Sequence, residues 1–250
     1  SAKGGYQTDG STPGAVLSNA LDFVDQSLGR MVSELRARGL LEATTIIVSA
    51  KHGQSPMQAS ALNRLDDGKI IDALNAAWNT DHQGGDPHAT KLVAFSIDDD
   101  GMLVWLNDRS SAATSFAKSF LLSYDDPSAS VDGKPVTSAG LAEVHVGSDA
   151  ATVFGVSTTN ERVPDVVGMA QYGIVYTGKK GKIAEHGGNH AEDRNVPILV
   201  SGPGAPHGTT VDTPVATTQI APTILQLLGL NPHELEAVRI ERTSALPLDG

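Results

Sequence analysis

Residues 44–54, TTIIVSAKHGQ, restrict the fold more than any other stretch of this 250-residue chain. Thr45, Ile46, Ile47 and Val48 are consecutive β-branched residues, which favour a pleated strand over a helix. The run does not alternate with polar residues, so the pattern predicts a strand over residues 45–49 covered on both faces, as in a parallel sheet between helices. Such sheets bind ligands at the carboxyl ends of their strands. Lys51 and His52 stand at that end. Gly53 follows, where the chain can turn sharply and bring its backbone close to a ligand.

A second stretch is suited to meet the first. Residues 182–204, KIAEHGGNHAEDRNVPILVSGPG, carry His186 and His190 among glycines and acids, then enter another apolar run over residues 196–201. That run predicts a second buried strand, parallel to the first and near it in the sheet, with His52 and His186 approaching at one sheet edge.

Between and around these stretches the elements read as mixed α/β. Thr12-Pro13 suits a helix start, with Thr12 as cap. Leu17, Leu21, Val24, Leu28, Met31 and Leu35 then form one apolar helical face, which Gly39 ends. A helix is predicted over residues 69–78 and another over 110–124, with a hairpin turn at 98–101 between strands 91–97 and 102–106. Residues 144–146 and 152–156 read as short strands, and 163–169 with 173–176 as a strand pair. The last predicted helix, 218–228, keeps Pro222 in its first turn, where it is tolerated. Its core-facing residues are Ile220, Ile224, Leu227 and Leu228. Residues 1–80 and 160–250 are expected to form an α/β core, and 81–159 an inserted cap that roofs the site and selects substrate.

Composition removes several function classes. The net charge of −11 argues against a general nucleic-acid surface, though a local cationic site can still hold one small phosphorylated molecule. Without cysteine there are no disulfides, thiolate metal sites or thiol nucleophiles. No apolar run approaches the length of a membrane span. The chain opens on Ser1 with neither an initiating Met nor a signal sequence, as expected of a processed or trimmed product; an extracytoplasmic location is compatible with that.

The motifs resemble those of the alkaline-phosphatase superfamily, and within it the type I phosphodiesterase/nucleotide pyrophosphatase branch. Ala50-Lys51-His52-Gly53 stands where that family has Ser-Asp-His-Gly, and His186-Gly187 where it has a His-Gly before its final core strand. Residues 217–230, TTQIAPTILQLLGL, are similar to its closing helix, and residues 19–35 carry its Leu-x-x-Val-Asp-x-x-Leu-Gly rhythm. The resemblance implies a three-layer α/β/α core and metal-assisted hydrolysis of phosphoric mono- or diesters. It also implies His52 and His186 as metal donors; His190, four residues after His186, is a third candidate by spacing. Three departures stand beside it. The family's metal-binding Asp is Lys51 here, and Lys3 and Gln7 lie about where it places a further Asp and His. Its nucleophile, a Thr or Ser after an Asp, falls upstream of this stretch.

Each site residue has a plain reading beside the functional one. His52 and His186 are structural loop histidines or zinc ligands; His190 is a solvated loop residue or a third ligand. Lys51 is a snorkelling side chain or a catalytic cation that replaces a metal and stabilises phosphate oxygens. That exchange implies at most one bound divalent ion, zinc by donor type. Lys179, Lys180 and Lys182 form a hairpin tip or a phosphate cradle; Asp193 and Arg194 form a local ion pair or a link to the strand, or take a catalytic role. Two functions remain open: a phosphodiesterase-type hydrolase of small phosphorylated substrates, or a non-catalytic family member or fragment that binds a phosphorylated ligand or partner. A sulfatase or phosphomutase relative is a third within the same fold. The missing nucleophile and first core strand imply completion of the sheet by an upstream segment or a second chain.

Overall fold

The computed structural model describes residues 5–7, 9 and 12–248. In chain order its principal elements are α1 (Ala15–Ala37), β1 (Ile46–Ser49), β2 (Asn63–Leu65), α2 (Asp67–His82), β3 (Val93–Asp98), β4 (Gly101–Leu106), α3 (Ser111–Ser123), β5 (Leu141–Val146), α4 (Ser148–Val153), β6 (Val166–Ala170), β7 (Ile174–Tyr176), α5 (Ala191–Arg194), β8 (Ile198–Ser201), α6 (Ile220–Leu227) and α7 (Glu236–Glu241). The fold is α/β. It divides into two compact units, one of residues 1–19 and 52–195, the other of 20–51 and 196–250. Among the described residues no helix is long and apolar enough to cross a membrane.

The first unit is built on the antiparallel sheet β3-β4-β6-β5. β3 and β4 must be antiparallel, because only a tight turn joins them. Met102, Val104 and Leu106 alternate onto one face of β4 and meet Ile70, Leu74 and Trp78 of α2 and Ala113, Ala117 and Leu121 of α3. The other face carries Leu103, Val167 and Met169 against Ala150 and Ala151 of α4. Helices thus lie on both sides of this sheet. β6 was expected to pair with the strand that follows it; instead it sits between β4 and β5, and β7 pairs in parallel with β2. Of residues 152–156, expected as a strand, Thr152 and Val153 end α4 and Phe154 follows as its C-cap. Ala150 and Ala151 are buried there, and the Thr152 hydroxyl donates to the Ser148 carbonyl at 2.9 Å, so burial of the small face outweighs local propensity.

The second unit corrects the reading of the opening strand. β1 and β8 are neighbours, but antiparallel, with Ile46 opposite Ser201 and Ser49 opposite Ile198. Two side-chain bonds hold that register: Thr45 Oγ1 donates to the Pro203 carbonyl at 2.7 Å and Ser49 Oγ to the Pro197 carbonyl at 2.9 Å. Gly202 adopts a positive φ of 119°, and a Cβ on it would stand 2.3 Å from the Thr44 carbonyl oxygen. Nor is the strand covered on both faces. Ile46 and Ile47 are half-buried, Val48 and Ser49 exposed, because the sheet has two strands and no residue of α1 is buried. The helix occupies its predicted range and ends in a left-handed Gly39. Its stripe nevertheless leaves Leu21, Val24 and Met31 exposed. Thr12 is not the cap: its N–H donates to Asp9 at 2.8 Å, and Gly14 supplies the first carbonyl, to Ser18 N–H. Lys3 lies outside the described residues.

α6 buries Pro222 and Thr223 rather than Ile224 and Leu228, which are exposed. The cause is the tail. Thr223 Oγ1 donates to the Gln219 carbonyl at 2.6 Å and accepts the Leu246 N–H at 2.7 Å. Leu246, in a segment the sequence left unplaced, is buried.

Candidate active site

The first unit brings His52 and His186 together. Their ring centroids are 4.2 Å apart with planes inclined at 41°. Main-chain pairing produces this approach. Ser55 N–H donates to the Glu185 carbonyl at 3.0 Å, and Glu185 N–H returns to the Ser55 carbonyl at 2.9 Å, so the two loops run side by side. Gly53 N–H donates to the Asp193 carbonyl at 2.7 Å. Gly53 is required at that crossing, because a Cβ would lie 1.9 Å from the Glu192 carbonyl oxygen. Its close approach is to the backbone of α5.

His52 Nδ1 lies 2.8 Å from the Gly53 carbonyl. A carbonyl only accepts, so Nδ1 is the donor of this contact, which leaves Nε2 out of it. His186 Nε2 is 3.8 Å from Glu185 Oε1, too far for a hydrogen bond.

Beneath the pair lies a polar nucleus that sequence reasoning missed. Ser55, Asp100 and Asp193 are each buried. Ser55 Oγ is 3.2 Å from an oxygen of Asp100 and 3.2 Å from one of Asp193. A hydroxyl has one proton and cannot donate to both. Burial first, then the Asp193 charge, pushes the Asp100 carboxyl up to about 8, against the lowering hydrogen bond from Ser55. Burial also raises Asp193, opposed by its bonds from Ser55 and the His190 N–H. Burial thus favours a proton on this acid pair, and a carboxyl that kept one would let Ser55 donate to the other. The nucleus ties down both histidine loops: Asp100 N–H donates to the His186 carbonyl at 3.2 Å, and Asp193 accepts the His190 N–H at 3.2 Å. Asp193 is thus not an ion-pair partner of Arg194, which donates to Asn189 instead.

A stability prediction follows. Asp100 titrates near 4 when unfolded and near 8 when folded, so between those values the folded state holds the extra proton. Stability from this group is complete below pH 4 and is lost as pH rises through 8. Thermal melts should show wild type losing stability from pH 6 to pH 8, and Asp100→Asn, a permanently neutral isostere, reducing that loss by on the order of 1–3 kcal/mol. Parallel profiles for the two proteins would contradict it.

The remaining predicted residues are placed as follows. His190 caps α5, its ring edge-on to Tyr172 at 5.3 Å and its Nε2 buried without a partner. Among the described residues no three His, Asp or Glu side chains are grouped to hold a metal, so His190 does not join His52 and His186 in one donor set. Zinc ordinarily takes at least three protein ligands. Two imidazoles with Lys51 in the sequence place of the family's Asp do not make that site. Lys51 is exposed at the bend after β1, in the second unit. Lys179 and Lys180 are exposed, whereas Lys182 pairs with Glu185 and, at 3.6 Å, with Asp99.

An α/β protein with two imidazoles paired on glycine loops is the class these features define. The chain belongs to the type I phosphodiesterase/nucleotide pyrophosphatase family, whose model matches residues 6–193. Human ectonucleotide pyrophosphatase/phosphodiesterase 5 is similar in fold, at 15% identity and a TM-score of 0.56, over 95% of this chain and 51% of that one. The murine protein of that name, solved as an inactive form in complex with AMP, is similar at 16% identity and a TM-score of 0.55, over 94% and 50%. The chain therefore spans about half the length of these structures. No curated protein sequence matches it.

Proposed function

We propose that this chain is part of a hydrolase of phosphoric esters, of the nucleotide pyrophosphatase/phosphodiesterase kind, acting on a small phosphorylated substrate at an extracytoplasmic location. The observation that carries the reading is the 4.2 Å approach of His52 and His186 on the two loops that hold the family's His-Gly motifs. His52 Nε2 and the His186 ring offer donors to a phosphoryl group or to one divalent cation. Lys51, joined directly to His52, supplies a fixed positive charge where the family has a carboxylate. It stabilises phosphate oxygens as charge develops but cannot activate water as a zinc ion does. Residues 81–159 contribute the walls that select substrate.

Hydrolysis of a chromogenic phosphodiester tests this. His186→Ala is expected to lower activity or divalent-ion content well beyond the ~10–100-fold typical of an outer-sphere partner, and His190→Ala to stay within it. Equal effects would mean the wrong histidine carries the site. Lys51→Asp is expected to raise the bound divalent ions per chain, since it exchanges a repelling ammonium for an oxygen ligand. Elemental analysis after zinc loading reads this directly; unchanged content would show that Lys51 is a surface charge only.

The Lys51 exchange and the two-imidazole donor set favour a second reading, a non-catalytic member that binds a phosphorylated ligand. Zinc bound near one-to-one supports the hydrolase, and none after loading supports the binding role.

A further inference from the structure

The sheet face turned away from the main core is only partly covered. α4 sets Ala150 and Ala151 against it. Beside them the face opens as a hollow of about 220 Å³, walled by Ile97, Leu103, Val153, Phe154, Val167 and Met169. Gly187 and Gly188, the two residues after His186, form part of its edge. Gly101 also lines it, and a Cβ there would stand 3.0 Å from the Gly168 carbonyl oxygen. Phe154 is 47% exposed and Ile97 46%, so the walls are apolar surface facing water.

We propose that this hollow holds an uncharged apolar arm, aryl or short alkyl, of a phosphoester whose phosphoryl group lies at His52 and His186. This rests on the phosphoester reading above and adds the substrate class. Size supports it. An apolar cavity of ~150 Å³ takes benzene, whereas drug-sized ligands occupy ~300–1,000 Å³, so 220 Å³ accepts one ring and not a whole nucleotide. Charge supports it too. No Lys or Arg is among the described residues lining the hollow, while Asp99 is, and the Lys182 ammonium beside Asp99 is already paired with it and with Glu185, so a second phosphate would compete with two carboxylates. Among the described residues Asp99 and Asn189 are its only polar side chains. A purine would desolvate most of its ring nitrogens against Leu103 and Val167 without partners, at a cost in free energy.

The test uses the 250-residue chain with methyl- and histidine-labelled NMR and four probes: benzyl alcohol, phenylphosphonate, methylphosphonate and adenosine. Benzyl alcohol should move the Leu103, Val153 and Met169 methyl signals. Phenylphosphonate should bind about tenfold or more tightly than methylphosphonate, which corresponds to ~1.4 kcal/mol. Phe154→Ala, at an exposed position, should remove most of that advantage and leave methylphosphonate binding unchanged. Methyl signals silent to both aryl probes while methylphosphonate still shifts the His52 and His186 signals would overturn this inference alone. Adenosine moving the methyls more than benzyl alcohol would also overturn it, in favour of a nucleobase arm. Histidine signals silent to both phosphonates would sink the phosphoester reading, and the proposal with it.

Discussion

Gly53→Ala is expected to destabilise the first unit by about 3 kcal/mol or more, a fall in melting temperature of roughly 6–12 °C, and to abolish the pairing of the two imidazoles. The added methyl would stand 1.9 Å from the Glu192 carbonyl oxygen and 3.0 Å from its carbon. Both are backbone atoms of α5, so no side-chain rotation relieves the clash. The loop must withdraw, and it carries both the Gly53–Asp193 main-chain bond and His52. Ser55 would be drawn from the Asp100 and Asp193 carboxyls, leaving buried polar atoms unsatisfied. Gly29→Ala is the control. No atom lies within 4 Å of a Cβ there, and an alanine inside a helix is worth ~0.5–1 kcal/mol over glycine. Thermal melts of the two variants should move in opposite directions; a neutral Gly53→Ala would mean that the crossing of His52's loop with α5 does not hold the site.

The second large effect concerns catalysis. Residues 1–250 alone are expected to hydrolyse a chromogenic phosphodiester on the order of 10,000-fold more slowly than a form completed by a segment outside them or by a second chain. The family's nucleophile is a Thr or Ser after an Asp at the end of a core strand, and no residue of this sequence fits that description; Ser49 and Ser201 end strands of other motifs. Loss of a nucleophile from a catalytic set commonly costs 10⁴–10⁶ in rate. β1 and β8 form a two-stranded sheet, and Leu199, at 62%, and Leu21, Val24 and Met31 of α1 are exposed. Such an edge and such a face invite a further strand. Full activity from residues 1–250 would show that a nucleophile lies within them and would remove this part of the account.

What the sequence disclosed was local or carried by motif. The β-branched run placed β1, and 3.6-residue periodicity placed α1, α2 and α3. The polar turn at residues 98–101 placed the β3–β4 hairpin. The His-Gly motifs singled out the two histidines that meet. Pairing direction was not legible, because the bonds that set it, Thr45 to Pro203 and Ser49 to Pro197, join residues far apart in the chain. The Ser55–Asp100–Asp193 nucleus was hidden for a related reason. Asp100 reads as an ordinary turn residue, and only the pairing of residue 55 with 185 buries it. A signal was present in the run Asp98-Asp99-Asp100, since a tight hairpin needs at most one or two polar turn residues. Burial in the second unit was overestimated because periodicity says which face is apolar, not whether anything covers it.

The claim on which the rest depends is that His52 and His186 form one phosphoryl-binding centre. Histidine-selective NMR of the 250-residue chain, titrated with inorganic phosphate, tests it most directly. The account predicts that the His52 and His186 ring signals shift together on a single binding curve, that His190 stays still, and that His186→Ala abolishes the His52 response. Shifts confined to His190, or an unaltered His52 response in His186→Ala, would contradict it.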